Sequence, residues 1–326
     1  MSRFGTLLKK ACATLLGALL AAYAYGQAWP SKPIRVIYPY SAGGVGDTSF
    51  RVITTTIETK IGQRFVIESR PGAAGNIGTA EVARAAPDGY TLLIAPTASY
   101  SVNQFLFSNL GFDPLVAFEP ISIYADAPLV VLMNSSVPAK NLRELVDFAR
   151  ANPGKLNFGS PGTGSPSHLT GELLSQMAGG ALVYIPYKGT PPMVQGLLAN
   201  DIQLFIATLG GNIAHVKTGR LRLLAVTGKE RMSEIPDVPT TAEAGFPELL
   251  ASNWWGLAAP RGTDRHIVEL LAAEVRNALA DPANRKRIGE LGMTPVGSTP
   301  GEFAAHMRAE AERWKSVIAR GGIKAE

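Results

Sequence analysis

Two stretches of this chain repeat one design: Ile34-Arg35-Val36-Ile37-Tyr38-Pro39-Tyr40-Ser41-Ala42-Gly43-Gly44, and Leu156-Asn157-Phe158-Gly159-Ser160-Pro161-Gly162-Thr163-Gly164-Ser165. In each, a run of strand character enters a glycine-rich turn with almost no charge, and a helical pattern follows. Such a turn aims several unpaired backbone N–H groups, and the positive end of the next helix dipole, at one point. Two facing turns of this kind make a cleft that holds a small anion without lysine or arginine. Either turn alone is also the ordinary strand-to-helix connection of any α/β protein. The reading rests on the pair.

Outward from these turns, short apolar runs alternate with helical patterns. Strands are expected at Ile34–Pro39, Phe65–Glu68, Thr91–Ala95, Leu129–Met133, Leu156–Gly159, Leu182–Pro186, Leu204–Ala207 and Leu223–Val226. Asp47 is a candidate N-cap for a helix with Phe50, Ile53, Ile57 and Ile61 on one face. Asn141 with Glu144 opens Leu142–Ala151, and Ser165-Pro166 opens a helix with Leu169, Leu173 and Met177 inward. Thr263 begins a helix to Asp281. Thr299-Pro300 with Glu302 begins the last, with a stripe of Phe303, Met307, Trp314 and Ile318. This order predicts an α/β fold of parallel sheets with helices on both faces.

The chain divides into two such blocks. The first runs from about Trp29 to Tyr124, and the second begins near Ala127-Pro128. After Leu250 the pattern reads as helices only, so the tail is expected to return to the first block. One lobe is then 29–126 plus 254–326 and the other 127–253, with crossings near Asp126 and at Asn253-Trp254-Trp255-Gly256. Both glycine-rich turns fall at the carboxyl ends of strands, where open α/β sheets bind ligands.

Residues 1–28 read as a secretory signal peptide. Arg3, Lys9 and Lys10 precede an apolar stretch from Ala11 to Ala24, with Ala22-Tyr23-Ala24 and Gly26-Gln27-Ala28 as candidate cleavage sites. The stretch is too short to span a bilayer. The only cysteine, Cys12, lies inside it without a lipobox, so the mature chain relies on a packed core and not on disulfides. Removing the three leader cations from 31 Lys+Arg leaves 28 against 26 Asp+Glu, so the net charge falls from +5 to +2. No basic block of the nucleic-acid-binding kind remains; Arg285-Lys286-Arg287 is the densest cluster and reads as a solvated helix face.

Several stretches are characteristic in combination: Lys32-Pro33-Ile34-Arg35, Tyr38 to Gly44 with Asp47, and Glu68-Ser69-Arg70-Pro71-Gly72-Ala73-Ala74-Gly75-Asn76-Ile77-Gly78. So are Ala85-Ala86-Pro87-Asp88-Gly89-Tyr90-Thr91-Leu92, Gly159–Leu169, Pro186-Tyr187-Lys188-Gly189, Leu223-Leu224-Ala225-Val226-Thr227 and Pro236-Asp237-Val238-Pro239-Thr240. Together, and over essentially the whole mature chain, the sequence resembles the Bug family, the TctC-like periplasmic solute receptors of tripartite tricarboxylate transporters. The resemblance implies a two-lobed Venus-flytrap fold that closes on a small carboxylate-bearing solute. It also implies a periplasmic location, a handover to membrane permease subunits, and a monomer with no cofactor, metal or nucleic acid. The candidate ligand-binding set is Tyr40, Ser41, Gly43, Gly44, Asn76, Thr97 and Ser99 from the first block, and Ser160, Thr163, Gly164, Ser165, His168, Tyr187 and Ala207 from the second. Tyr100 is a further candidate for the pocket wall. The backbone amides of Gly43, Gly44 and Gly164 are expected to hold the carboxylate.

One departure from the family pattern bears on selectivity. Where the family often has Phe-Asp-Asn-Leu-Pro, this chain reads Ile206-Ala207-Thr208-Leu209-Gly210-Gly211-Asn212, with Ala207 in place of the acid. A carboxylate there receives an ammonium or hydroxyl from the solute. Its loss argues against an amino-acid ligand and favours a dicarboxylate, aliphatic or aromatic.

The competing reading is an exported α/β hydrolase acting on carboxylate esters. The sequence has no Gly-x-Ser-x-Gly elbow. Gly72-x-x-Gly75-x-x-Gly78 is not the dinucleotide fingerprint, and no Walker-type Gly-Lys-Ser/Thr occurs. The four histidines, His168, His215, His266 and His306, lack paired metal-ligand spacing. No catalytic residue is assigned.

Overall fold

The computed structural model describes residues 29–160, 162–187, 190–209 and 212–325. The signal peptide read over 1–28, with Cys12, lies outside the described residues, as do Pro161, Lys188, Gly189, Gly210 and Gly211 of the motifs. The described residues form eleven strands: β1 (Ile34–Tyr38), β2 (Phe65–Ser69), β3 (Thr91–Pro96), β4 (Phe118–Pro128), β5 (Val130–Asn134), β6 (Leu156–Ser160), β7 (Leu182–Pro186), β8 (Leu204–Ala207), β9 (Leu221–Val226), β10 (Ser252–Pro260) and β11 (Thr294–Pro295). They make two sheets, one in the order β11-β4-β10-β3-β1-β2 and one in the order β7-β6-β8-β5-β9. Each sheet has a parallel trio with the strand of the glycine-rich turn in the middle: β1 between β2 and β3, and β6 between β7 and β8. Continuous apolar runs such as Leu92-Leu93-Ile94-Ala95 suit strands covered on both faces.

All eight expected strands form, but the sheets are mixed, not purely parallel. β10 runs antiparallel to both β3 and β4, and β5 antiparallel to both β8 and β9. The two longest strands, β4 and β10, escaped the sequence reading. β4 carries Pro120 and the polar Glu119, Ser122 and Asp126, and β10 carries Gly256 and three small or imino positions near its end, so neither shows clean alternation. β10 also corrects the expectation that only helices follow Leu250.

Helix starts follow local chemistry. Asn141 accepts from Glu144 N–H at 2.9 Å, while Glu144 Oε2 accepts from Lys140 N–H, and the helix Leu142–Ala151 follows. Ser165 caps Pro166–Met177, and Thr299 with Glu302 forms a reciprocal capping box at the head of Pro300–Gly321. Two starts differ from expectation. Gly44, not Asp47, is the N-cap of Val45–Ile61, and Asp264, not Thr263, caps Arg265–Ala280.

The last helix does not pack on the first sheet alone. Phe303 and Met307 join Ile37, Leu93 and Trp254 in one apolar cluster. Trp314, Val317 and Ile318 join Leu142, Leu169 and Leu173 in another, and Gln176 Nε2 donates to Val317 O at 3.0 Å. The last helix thus reaches both sheets, because its apolar stripe runs on from Phe303 and Met307 to Trp314 and Ile318. β4 and β10 also stay paired past the expected crossings, through Ala127↔Asn253 and Pro128↔Ser252.

Asp126 sits on β4 opposite Trp254 and Thr294, near the point where the chain leaves the first sheet. Its Oδ1 is buried without a hydrogen-bond partner, and burial holds its carboxyl above the usual aspartate range. A raised native pKa means that ionisation costs folding stability; the cost is absent below the unfolded pKa and complete above the native one. Asp126→Asn should therefore raise the melting temperature at pH 7. The gain should shrink as pH falls into the ordinary aspartate range, measured by thermal denaturation at a series of pH values.

Candidate functional site

The two glycine-rich turns follow β1 and β6, the equivalent strands of the two sheets. Gly43 and Gly164 hold φ of 80° and 76°, a left-handed conformation that only glycine adopts cheaply. The N–H groups of these two glycines are already used. Gly43 donates to Asp47 Oδ2 at 2.9 Å and Gly164 donates to His168 Nδ1 at 3.0 Å. Among the described residues, the N–H groups of Gly44 and Thr163 have no partner. Of the three amides expected to hold the carboxylate, those of Gly43 and Gly164 are thus spent inside the turns and that of Gly44 stays open, joined by that of Thr163.

Both turns border one cavity of about 540 Å³. Its walls include Tyr38, Tyr40, Ser41 and Gly44 from the first half, Thr163, Gly164, Ser165 and Pro166 from the second, and Asn253 and Trp255 from β10. A smaller cavity of about 310 Å³ shares Ser165, Pro166 and Asn253 with it and continues to Ser167, Thr190, Phe205, Ala207, Thr208 and Asn212. Among the described residues, no charged side chain lines either cavity. Tyr38, Tyr40 and Trp255 form one aromatic wall, with ring centroids 5.8 to 6.3 Å apart. Burial pushes the Tyr38 hydroxyl up to about 12 and also raises that of Tyr40, so both stay neutral. Tyr40 donates to Ala74 O at 3.1 Å.

β10 supplies residues that sequence reasoning read only as a crossing point. Side chains two apart on a strand share a face. Asn253 and Trp255 accordingly reach the cavities, while Trp254 turns to Tyr100 and Phe303. Trp255 Nε1 and Asn253 Oδ1 are buried with no partner. Such groups carry an unmade hydrogen bond, which costs about 1–3 kcal/mol each. The signal that exposes them is period two in Asn253-Trp254-Trp255 once the segment is taken as a strand.

Residues 49–323 match the Tripartite tricarboxylate transporter family receptor. Protein BugT of Bordetella pertussis is 35% identical over 306 residues, 94% of each chain. An R. palustris protein solved with adipate is 33% identical with a TM-score of 0.75, covering 91% of this chain and 99% of its own. MatC from Rhodopseudomonas palustris, solved with bound malate, is 31% identical with a TM-score of 0.71, covering 89% and 100%. The chain belongs to the tripartite tricarboxylate transporter receptor family. The hydrolase alternative finds no support in these relatives.

Within this receptor the sequence-derived site residues separate into two groups. Tyr40, Ser41, Gly44, Thr163, Gly164 and Ser165 line the larger cavity, and Ala207 with Ser165 the smaller. The others stand behind the walls. Thr97 Oγ1 is held by the backbone of Trp254. Ser160 Oγ donates to Gly162 O and meets the Tyr184 hydroxyl at 2.9 Å, so the turn's interior consumes it. Asn76 Oδ1 accepts from Asn103 Nδ2 at 2.6 Å, and it is Asn103 that reaches the cavity. Ser99 is buried, with an unpartnered Oγ, and Gly43, His168 and Tyr187 lie off the cavity surface. Tyr187 packs against Gly159 and Gly196. Tyr100 is fully buried, its hydroxyl donating to Leu93 O and Gly256 O, and is core, not pocket wall.

Trp255 gives an optical test of this placement. A carboxylate entering the larger cavity should change tryptophan emission, and the change should vanish in Trp255→Phe. A full response in that variant would place the solute elsewhere. Gly164→Val should weaken binding at least tenfold, because a side chain there is strained at positive φ and a Cβ would stand 2.3 Å from Leu106 Cδ1.

Proposed function

We propose that this receptor works in the periplasm, after loss of the 1–28 leader, and captures a small organic carboxylate in a cleft between two lobes. It then passes the solute to membrane permease subunits of a tripartite transporter and transforms nothing. One lobe is built on β1–β4, β10 and β11 and the other on β5–β9, close to the division 29–126 plus 254–326 and 127–253. The observation that carries the reading is the pair of joined cavities, bordered by both glycine-rich turns and by the free N–H groups of Gly44 and Thr163. Backbone N–H groups at helix starts hold anions without a cation.

The solute we favour is a dicarboxylate, aliphatic or aromatic. The larger cavity offers an aromatic wall to its body, and the smaller offers neutral donors to its far end: Ser167, Thr190, Thr208, Asn212 and the Asn253 amide. Adipate and malate, bound by the two R. palustris relatives, are of this chemistry. Ala207 lines the smaller cavity, so an ammonium group arriving there meets no carboxylate. An unpaired charge buried in such a place costs several kcal/mol.

Isothermal calorimetry with adipate, malate, glutamate and aspartate decides the matter. Dicarboxylates should bind at least tenfold tighter than the two amino acids, with no product formed. Tight glutamate binding would overturn the selectivity, and silence toward every carboxylate would overturn the reading of the site. Ala207→Asp should weaken adipate binding through like-charge repulsion.

A further inference from the structure

Each glycine-rich turn is tied by a side chain reaching back from the helix that it opens. In the first, Gly43 N–H donates to Asp47 Oδ2 at 2.9 Å; in the second, Gly164 N–H donates to His168 Nδ1 at 3.0 Å. The spacing is four residues both times, both glycines have positive φ, and both acceptors are 3% exposed. An aspartate and a histidine have little in common except an acceptor atom at the δ position. That shared atom is the feature the two turns have in common.

We propose that Asp47 and His168 are a matched pair of positioning residues for the solute site. Neither lines a cavity. By accepting from the left-handed glycine, each fixes the turn in the one shape that leaves the adjacent N–H, of Gly44 or of Thr163, free for the anion. The inference rests on the carboxylate-receptor reading above and adds to it the residues that hold the receptor's donors in place. Preorganised donors bind better because the ordering cost is met before the solute arrives.

The chemistry of His168 is fully specified by this role. A ring nitrogen that accepts from an amide carries no proton, so the ring is neutral with its proton on Nε2. Nε2 faces Glu172 Oε1 at 3.6 Å, and the ring stacks on Tyr184 at 3.8 Å between centroids, with Phe158 beyond at 6.3 Å. Asp47 is oriented in the same way by Arg51 Nε, 2.7 Å from its other oxygen.

Two substitutions at one position separate the acceptor from the ring. His168→Asn keeps an acceptor at the δ position and loses the stack on Tyr184; His168→Phe keeps the stack and loses the acceptor. With adipate as the probe, His168→Phe should bind at least tenfold weaker, and His168→Asn within about threefold of the parent, the loss of one hydrogen bond being worth about a decade in affinity. Asp47→Asn and Asp47→Leu should divide in the same way. Parent-like affinity in His168→Phe, or equal loss in both His168 variants, would overturn the proposal. A measurement on the unmodified protein needs neither folding of a variant nor a solute. Nitrogen-15 spectra should place the His168 proton on Nε2, and the Gly43 and Gly164 amides should exchange far more slowly than those of Gly44 and Thr163. A proton on Nδ1, or equal exchange, would also overturn it. If the parent ignores both adipate and malate, the reading of the solute falls, while the ring proton and amide exchange still judge the pair.

Discussion

The pairing of β4 with β10 is the constraint from which the rest of the molecule follows. The two strands run side by side from Phe118↔Pro260 to Pro128↔Ser252, and they carry the chain out of the first sheet and back into it. A paired double crossing fixes where the two sheets can stand relative to one another. It also determines which side chains see the gap between them. Asn253 and Trp255 project into the cavities and Trp254 into the core because neighbours on a strand face opposite ways. The bulges in the pairing begin only after Trp255, so this alternation is intact where the cavities need it.

A second constraint is chemical: to hold an anion, as proposed, a site whose described lining carries no cation has to rely on neutral donors. Amide N–H groups do this when they are dry, aimed and unable to turn away. On the proposed reading, the turns meet these conditions by spending one N–H each on an internal acceptor while a neighbouring one, after it in the first turn and before it in the second, stays open. The tyrosines beside the site contribute without opposing charge, since burial keeps Tyr38 and Tyr40 protonated. Asp47 is the anion that holds the first turn, and Arg51 offsets it.

How much of this was legible in the sequence depended on whether the signal was local. Ser165-Pro166 and Thr299-Pro300-x-Glu302 gave their helix starts because capping is settled within four residues. The parallel strands were visible as dense apolar runs. β4 and β10 were not, because their register is set by partners more than a hundred residues away and their composition is broken by proline, glycine and alanine. The site divided along the same line. Turn residues such as Ser41, Gly44 and Thr163 reach the cavity, whereas Thr97, Ser160 and Tyr100 have the polar groups of ligand contacts but use them on the backbone or on a neighbour. Nothing in a linear chain distinguishes a hydroxyl that is spent from one that is free.

The C-terminal helix adds a mechanical property. Its first half is embedded with Trp254 and Leu93, and its second half with Leu169 and Leu173. Between Met307 and Trp314 the sequence is Arg-Ala-Glu-Ala-Glu-Arg, without a proline or glycine, and Glu310 locks this span to Arg313 and to Trp314 Nε1. Helices bend sharply at proline, glycine or an inserted bulge, and this span has no such residue. It acts as a stiff rod beside the two crossing strands. Three tethers leave the two sheets less relative freedom than the two crossing strands alone would.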